Sequence, residues 1–158
     1  MKTTPRVGAV LFSALENSKI KDITFTFDRV LNFDGETAPY LQYTHARCNS
    51  ILQKAGTSRL AKIAHDPRAL DNPETLRLCK LLAAFPQTVR DSGEKYEPCL
   101  ISALLIDIAQ AFNKFYTEHR VLCEDLTVQN ARLQVVEATQ IVLNKGLSLL
   151  GISAPSQM

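Results

Sequence analysis

The chain has no CxxC pair and no cluster of cysteine with histidine. Cys48, Cys79, Cys99 and Cys123 stand twenty or more residues apart. Neither a zinc site nor a dithiol redox motif is indicated, and reduced structural thiols in a cytoplasmic protein are expected. No stretch approaches the roughly 20 apolar residues of a membrane-spanning helix. The opening Met1-Lys2-Thr3-Thr4-Pro5-Arg6 lacks the apolar core of a signal peptide. There is no block of like charge either: 18 basic against 16 acidic residues give a net charge of +2, which excludes a polybasic tail but permits a local basic patch. No glycine-rich strand–loop–helix and no P-loop occurs. His45, His65 and His119 are scattered, so no Ser/His/Asp or Cys/His arrangement is suggested. Internal repeats and low-complexity segments are absent as well. What is present is a soluble globular composition, 46% hydrophobic and 22% charged, in 158 residues, enough for one domain with a real core.

The pattern of that composition is helical. Residues 6–16 read as a short helix with Val7, Val10, Leu11, Ala14 and Leu15 on its apolar side. From Lys21 to Phe33 the period changes to two, with Ile23, Phe25 and Phe27 alternating with polar residues, which predicts a short strand or extended connector. Asp34-Gly35-Glu36 is turn chemistry, and Pro39 suits a first helical turn. The helix from about Pro39 to Ala55 carries an apolar stripe of Leu41, Thr44, Cys48 and Ile51 or Leu52, and Gly56 ends it. On another face Tyr40, Tyr43, Arg47, Ser50 and Lys54 fall in line. Residues 57–71 read as a loop or broken helix, with a break at His65-Asp66-Pro67-Arg68. Asn72-Pro73-Glu74 starts a helix through about Phe85: an N-cap, a proline at the first position and an acid in the first turn. Pro86 closes it or opens a further short helix to about Ser92. Two long amphipathic helices follow. One opens at Glu97-Pro98 and carries Ile101, Leu105, Ile108, Phe112 and Phe115; the other, Val128 to about Leu150, carries Leu133, Val136, Leu143, Leu147 and Leu150 and ends at Gly151. The fold class is therefore all-α, a helical bundle with one short extended connector near the start.

Leu31-Asn32-Phe33-Asp34-Gly35-Glu36-Thr37-Ala38-Pro39-Tyr40-Leu41-Gln42-Tyr43-Thr44-His45-Ala46-Arg47 resembles the signature of arginyl-tRNA synthetases, where the catalytic half passes into the helical anticodon-binding (DALR-type) domain. Four further blocks match in order. They are Val7 to Phe12 with Asn17 to Asp22, then Tyr96-Glu97-Pro98 leading to Asp107–Tyr116 and His119–Leu122, then Asn130–Leu133, and finally Gly146–Met158. The chain departs from the family at Ala38, where most members have Gly, and at Leu11, where some carry Arg; residues 56–72 match poorly. The resemblance implies residues 1–33 as a connector from the catalytic half and 34–158 as an anticodon-binding domain. It implies tRNA(Arg) and the parent's catalytic domain as partners, and no membrane or metal. The HIGH-type and KMSKS-type motifs of a class I arginine–tRNA ligase are missing, so this chain should hold no catalytic residue and no cofactor, with ATP and Mg confined to the parent's catalytic domain.

Spacing alone leaves the Tyr40–Lys54 face open between an RNA-facing stripe and a half-buried packing face. The resemblance favours RNA: Tyr40, Tyr43, Arg47 and Lys54 are expected at the tRNA, the aromatics for stacking or sugar contacts and the cations for phosphates. Asn113 and Tyr116 lie beside the apolar stripe of their helix, and Tyr116 takes the position of a tyrosine lining the anticodon pocket. Met158, by its terminal position expected to be a disordered end, becomes a candidate tRNA contact by resemblance. His45, in line with Leu41, Cys48 and Leu52, reads as a buried, hydrogen-bonded histidine. His119 and Arg120 read as caps of helix-end carbonyls, with phosphate contact as the other reading. The alternative function is a freestanding adaptor that recruits a tRNA-modifying or other partner through its helical faces.

Overall fold

Helix ends follow the local chemistry. The computed structural model describes residues 5–20, 26, 28, 31–32, 35–56 and 67–158. The expected extended segment around Ile23, Phe25 and Phe27, and the break at His65-Asp66, lie outside the described residues. Five long helices are described: α1 (Pro5–Leu15), α2 (Ala38–Ala55), α3 (Pro73–Lys95), α4 (Cys99–Glu118) and α5 (Leu126–Leu149), with a short 3-10 turn at Pro67–Leu70. Thr37 caps α2 by accepting from the Tyr40 amide, and Gly56, at φ 69°, closes it in the left-handed region that glycine tolerates. Asn72 caps α3, its side chain accepting from the Thr75 amide at 2.9 Å. Helix α5 begins two residues before Val128, because the Asp125 carboxylate accepts from both the Thr127 and Val128 amides.

Helix α3 lies along α4, α5 runs beside α2, and α1 rests on α2 and α4. The expected stripes of α2, α4 and α5 meet in one core, where Leu41, Leu105, Ile108, Phe112, Phe115, Leu133, Leu143 and Leu147 are all fully buried. At the α4–α5 crossing, a Cβ on Gly146 would stand 2.4 Å from Leu105 Cδ2. Any larger residue there would force the buried Leu105 side chain to shift. All four cysteines are free thiols, and burial pushes the Cys48 thiol far above its ordinary range.

Three expectations are corrected. Helix α3 does not end at Phe85; it runs through Pro86 to Lys95. The proline removes one N–H donor, but Leu81, Leu82, Phe85 and Val89 pack against the core on both sides of it, and that burial outweighs a local break. In α1 the buried side is Gly8, Ala9, Phe12 and Ser13, while Val7, Val10, Leu11 and Ala14 are exposed. The small residues face inward because α1 approaches closely: a Cβ on Gly8 would sit 3.0 Å from Ile152. Finally, α4, with mean hydropathy 1.2, is by length and composition alone able to cross a membrane. Its apolar side is occupied by the bundle core.

Candidate nucleic-acid interface

The apolar stripe of α2 turns into the core, and that rotation sets the opposite face. Along it Tyr43, Arg47, Ser50 and Lys54 form one wall of a cleft of about 900 Å³. The facing wall comes from the last turn of α4 (Tyr116, Thr117), the connection after it (Arg120, Val121, Leu122) and the final residues Gln157 and Met158. Ala46, Ile51 and Val121, all buried, give it an apolar floor. Among the described residues, three cations, Arg47, Lys54 and Arg120, line the cleft and no aspartate or glutamate does. In a chain of nearly balanced charge, that segregation is the local basic patch its composition permits.

Arg47 is held by four contacts from three side chains. Its Nη1 donates to Asn113 Oδ1 at 3.0 Å and its Nη2 to the Tyr43 hydroxyl at 3.0 Å. The guanidinium lies 4.7 Å from the Tyr43 ring centre and 5.5 Å from that of Tyr116, within cation–π range. Asn113 is fixed in turn, its Nδ2 donating to the Tyr40 hydroxyl at 2.8 Å. Tyr116 stacks on the buried Phe112 ring, centres 6.2 Å apart. Of the seven expected contacts, Tyr43, Arg47, Lys54, Tyr116 and Met158 therefore share one cleft, while Tyr40 and Asn113 stand behind Arg47 and hold it.

Arg120 and Gln157 are residues the sequence reading did not place in the cleft. Arg120 lies four positions beyond Tyr116, just past the end of α4, and that nearness in sequence could have flagged it. His119 is not at the cleft; its Nε2 stands 3.5 Å from Glu74 on α3. His45 is buried as expected, only 2% exposed. Its Nδ1–H donates to the Pro155 carbonyl at 2.8 Å, and its Nε2 takes the amide of Gln140 at 3.1 Å. Desolvation pushes its pKa below 6.5, despite the opposing pull of the Pro155 carbonyl. The unfolded chain then binds the proton first as pH falls, so the stability from burying neutral imidazole is complete above about pH 6.5 and declines below it. Urea midpoints at about pH 7.5 and pH 5.5 should show this decline, and His45→Asn, which cannot titrate, should have a smaller difference between the two. An equal difference in both proteins would assign the decline to other groups.

A helical bundle whose cleft, among the described residues, combines three cations, two tyrosines and an apolar floor is a domain suited to an anionic ligand carrying flat rings. Residues 41–158 match the DALR anticodon binding domain family, and the chain belongs to that family. It is similar to the arginine–tRNA ligases of Alkaliphilus metalliredigens, 46% identical over 154 residues, and Enterococcus faecalis, 45% over 152. Each alignment covers 96% of this chain and 26% of the relative, so the chain spans about a quarter of their length. Among solved structures, the Thermus thermophilus arginyl-tRNA synthetase superposes with a TM-score of 0.86 at 34% identity, over 96% of this chain and 26% of that one. The Plasmodium falciparum enzyme, with a TM-score of 0.83 at 23% identity over 96% and 27%, supports the all-helical fold. The resemblance to arginyl-tRNA synthetases drawn from the sequence blocks is thereby confirmed.

Proposed function

We propose that this domain grips the anticodon arm of tRNA(Arg) in the cleft, on behalf of an arginine–tRNA ligase whose ATP- and Mg-dependent chemistry resides in a separate catalytic domain, and that it does so in the cytoplasm. In this reading residues 1–33 connect to the catalytic half and 34–158 form the RNA-binding domain. Tyr43 and Tyr116 offer ring faces to unstacked bases, and Arg47, Lys54 and Arg120 meet phosphates. Tyr40 and Asn113 keep Arg47 in place, and Met158 closes the far wall. The observation that carries the reading is the tether of Arg47, by four contacts from three side chains, inside a cleft whose described lining has three cations and no aspartate or glutamate. Clustered positive charge beside ring faces is what a splayed nucleotide needs.

The test is titration of the 158-residue chain with tRNA bearing arginine anticodons and with a tRNA bearing another anticodon, at fixed, stated salt. Tighter binding of the first is expected. Tyr116→Ala should remove most of the difference, since one base–aromatic stack contributes about 1–3 kcal/mol. Equal affinity for both tRNAs at low salt would refute anticodon reading. The same chain should support no arginine-dependent ATP–pyrophosphate exchange; robust exchange would overturn its assignment as the RNA-gripping part.

A further inference from the structure

The two cleft residues furthest along the chain, Gln157 and Met158, belong to a run without regular secondary structure. Its start is anchored by main-chain bonds. Gly151 adopts φ 72°, and the Ile152 amide donates back to the Leu147 carbonyl at 2.9 Å. Beyond that point the anchors are side chains. Gln42 Nε2 donates to the Ser153 carbonyl at 2.7 Å, and His45 Nδ1–H to the Pro155 carbonyl at 2.8 Å. Both side chains are almost fully buried, at 1% and 2% exposure. Burying an amide and an imidazole is unfavourable unless their hydrogen bonds are made; here the donor nitrogens find backbone carbonyls 110 or more positions away in sequence, while Gln42 Oε1 is buried without a partner among the described residues.

The spacing on the two sides agrees. Gln42 and His45 are three residues apart on one helix face, about 5–6 Å between neighbouring Cβ atoms. Carbonyls of residues 153 and 155, two positions apart, face the same side in an extended chain and recur at about 6.6 Å. A slip of the tail by one residue would turn both carbonyls away from both donors. Gln140 on α5 holds the far nitrogen of His45, fixing the neutral tautomer that presents a proton to Pro155. Gly8 of α1 leaves room over the same spot, near Ile152 and the Gln42 amide.

We infer that Gln42 and His45 form a register clamp on the backbone of Ser153 and Pro155, which sets how far Gln157 and Met158 reach into the cleft. They are positioning residues: neither lines the cleft, and both act through the tail. The inference rests on the cleft being the anticodon site, so its test separates the two claims. The sequence has only two methionines, so 13C-methyl labelling of methionine gives two signals, and Met158 is assigned by Met158→Leu. In the intact free chain the Met158 methyl should lie away from its random-coil position. Gln42→Ala with His45→Leu should collapse it to a sharp random-coil signal, while His45→Asn, which keeps a side-chain N–H near the Nδ1 position, should preserve most of the shift. A Met158 signal that stays in place in the double variant, with the chain still folded, overturns the clamp.

The second arm measures tRNA binding. In the intact chain the double variant should weaken binding of tRNA with an arginine anticodon by about fivefold or more, the effect of losing one base contact. In a chain lacking Gln157 and Met158 the same two substitutions should change affinity less than about twofold. An equal loss in both backgrounds overturns the clamp, because the effect would then be general damage. A freed Met158 signal with unchanged tRNA affinity supports the clamp and overturns the anticodon reading of the cleft.

Discussion

Replacing Phe112 by alanine is expected to destabilise the chain by about 3–5 kcal/mol, the range for deleting a fully buried phenylalanine ring. Phe112 is 0% exposed and sits where α4 faces the rest of the core. Its ring is 6.4 Å from that of Phe115, also fully buried, and 6.2 Å from that of Tyr116. Such a loss is a large share of the roughly 5–15 kcal/mol that separates folded from unfolded chains of this size. The urea midpoint should fall strongly with little change in slope, which marks lost stability rather than a changed unfolded state. Phe112→Leu keeps more of the volume and should cost clearly less. A loss for Phe112→Ala below about 1 kcal/mol would mean the cavity collapses and that the ring is not a keystone of the core.

The consequence reaches the cleft, because Phe112 is the surface on which Tyr116 stacks. In Phe112→Leu, which should fold, Tyr116 loses its flat partner and with it part of the order of one cleft wall. Weaker tRNA binding is therefore expected even though residue 112 never meets RNA. In this way a core residue and a site residue are joined by one turn of helix.

That coupling explains which parts were readable from the residues alone. Helical period could separate the core stripe of α2 from the face carrying Tyr40, Tyr43, Arg47 and Lys54, but spacing left the use of that face open; Tyr43, Arg47 and Lys54 share one wall of the cleft and Tyr40 does not line it. Caps at Asn72 and Gly56 were legible because capping is local chemistry. The inward side of α1 was not. Hydrophobic period points to Val7, Val10 and Leu11, whereas close approach to Ile152 selects Gly8 and Ala9. Pro86 misled for a similar reason: a local helix breaker lies within a helix held by burial on both sides. Nor could Gln157 be placed, since the run before it is bonded at Ser153 and Pro155 by Gln42 and His45, across most of the chain. Period and propensity carry no information about such distant pairings.

Arg47→Gln is expected to weaken binding of tRNA with an arginine anticodon by about 30- to 150-fold, or about 2–3 kcal/mol, the scale of a lost charged hydrogen bond. The more telling variant is Arg47→Lys. Lysine keeps the charge but has no planar fork, so it cannot donate to Asn113 and Tyr43 together while lying against the rings of Tyr43 and Tyr116. If Arg47 serves only as a counter-charge, lysine should restore binding. If the tether sets its direction, Arg47→Lys should still lose about tenfold. Salt dependence separates the two contributions: removing one phosphate contact lowers the slope of log affinity against log salt by about 1. Arg47→Gln should show that decrease, and Arg47→Lys should keep the original slope with a lower affinity throughout. Asn113→Ala, which leaves Arg47 charged but cuts the link to Tyr40, should resemble Arg47→Lys in both respects. Wild-type affinity in Arg47→Lys and Asn113→Ala alike would reduce the tether to packing and leave charge alone as what this side chain supplies.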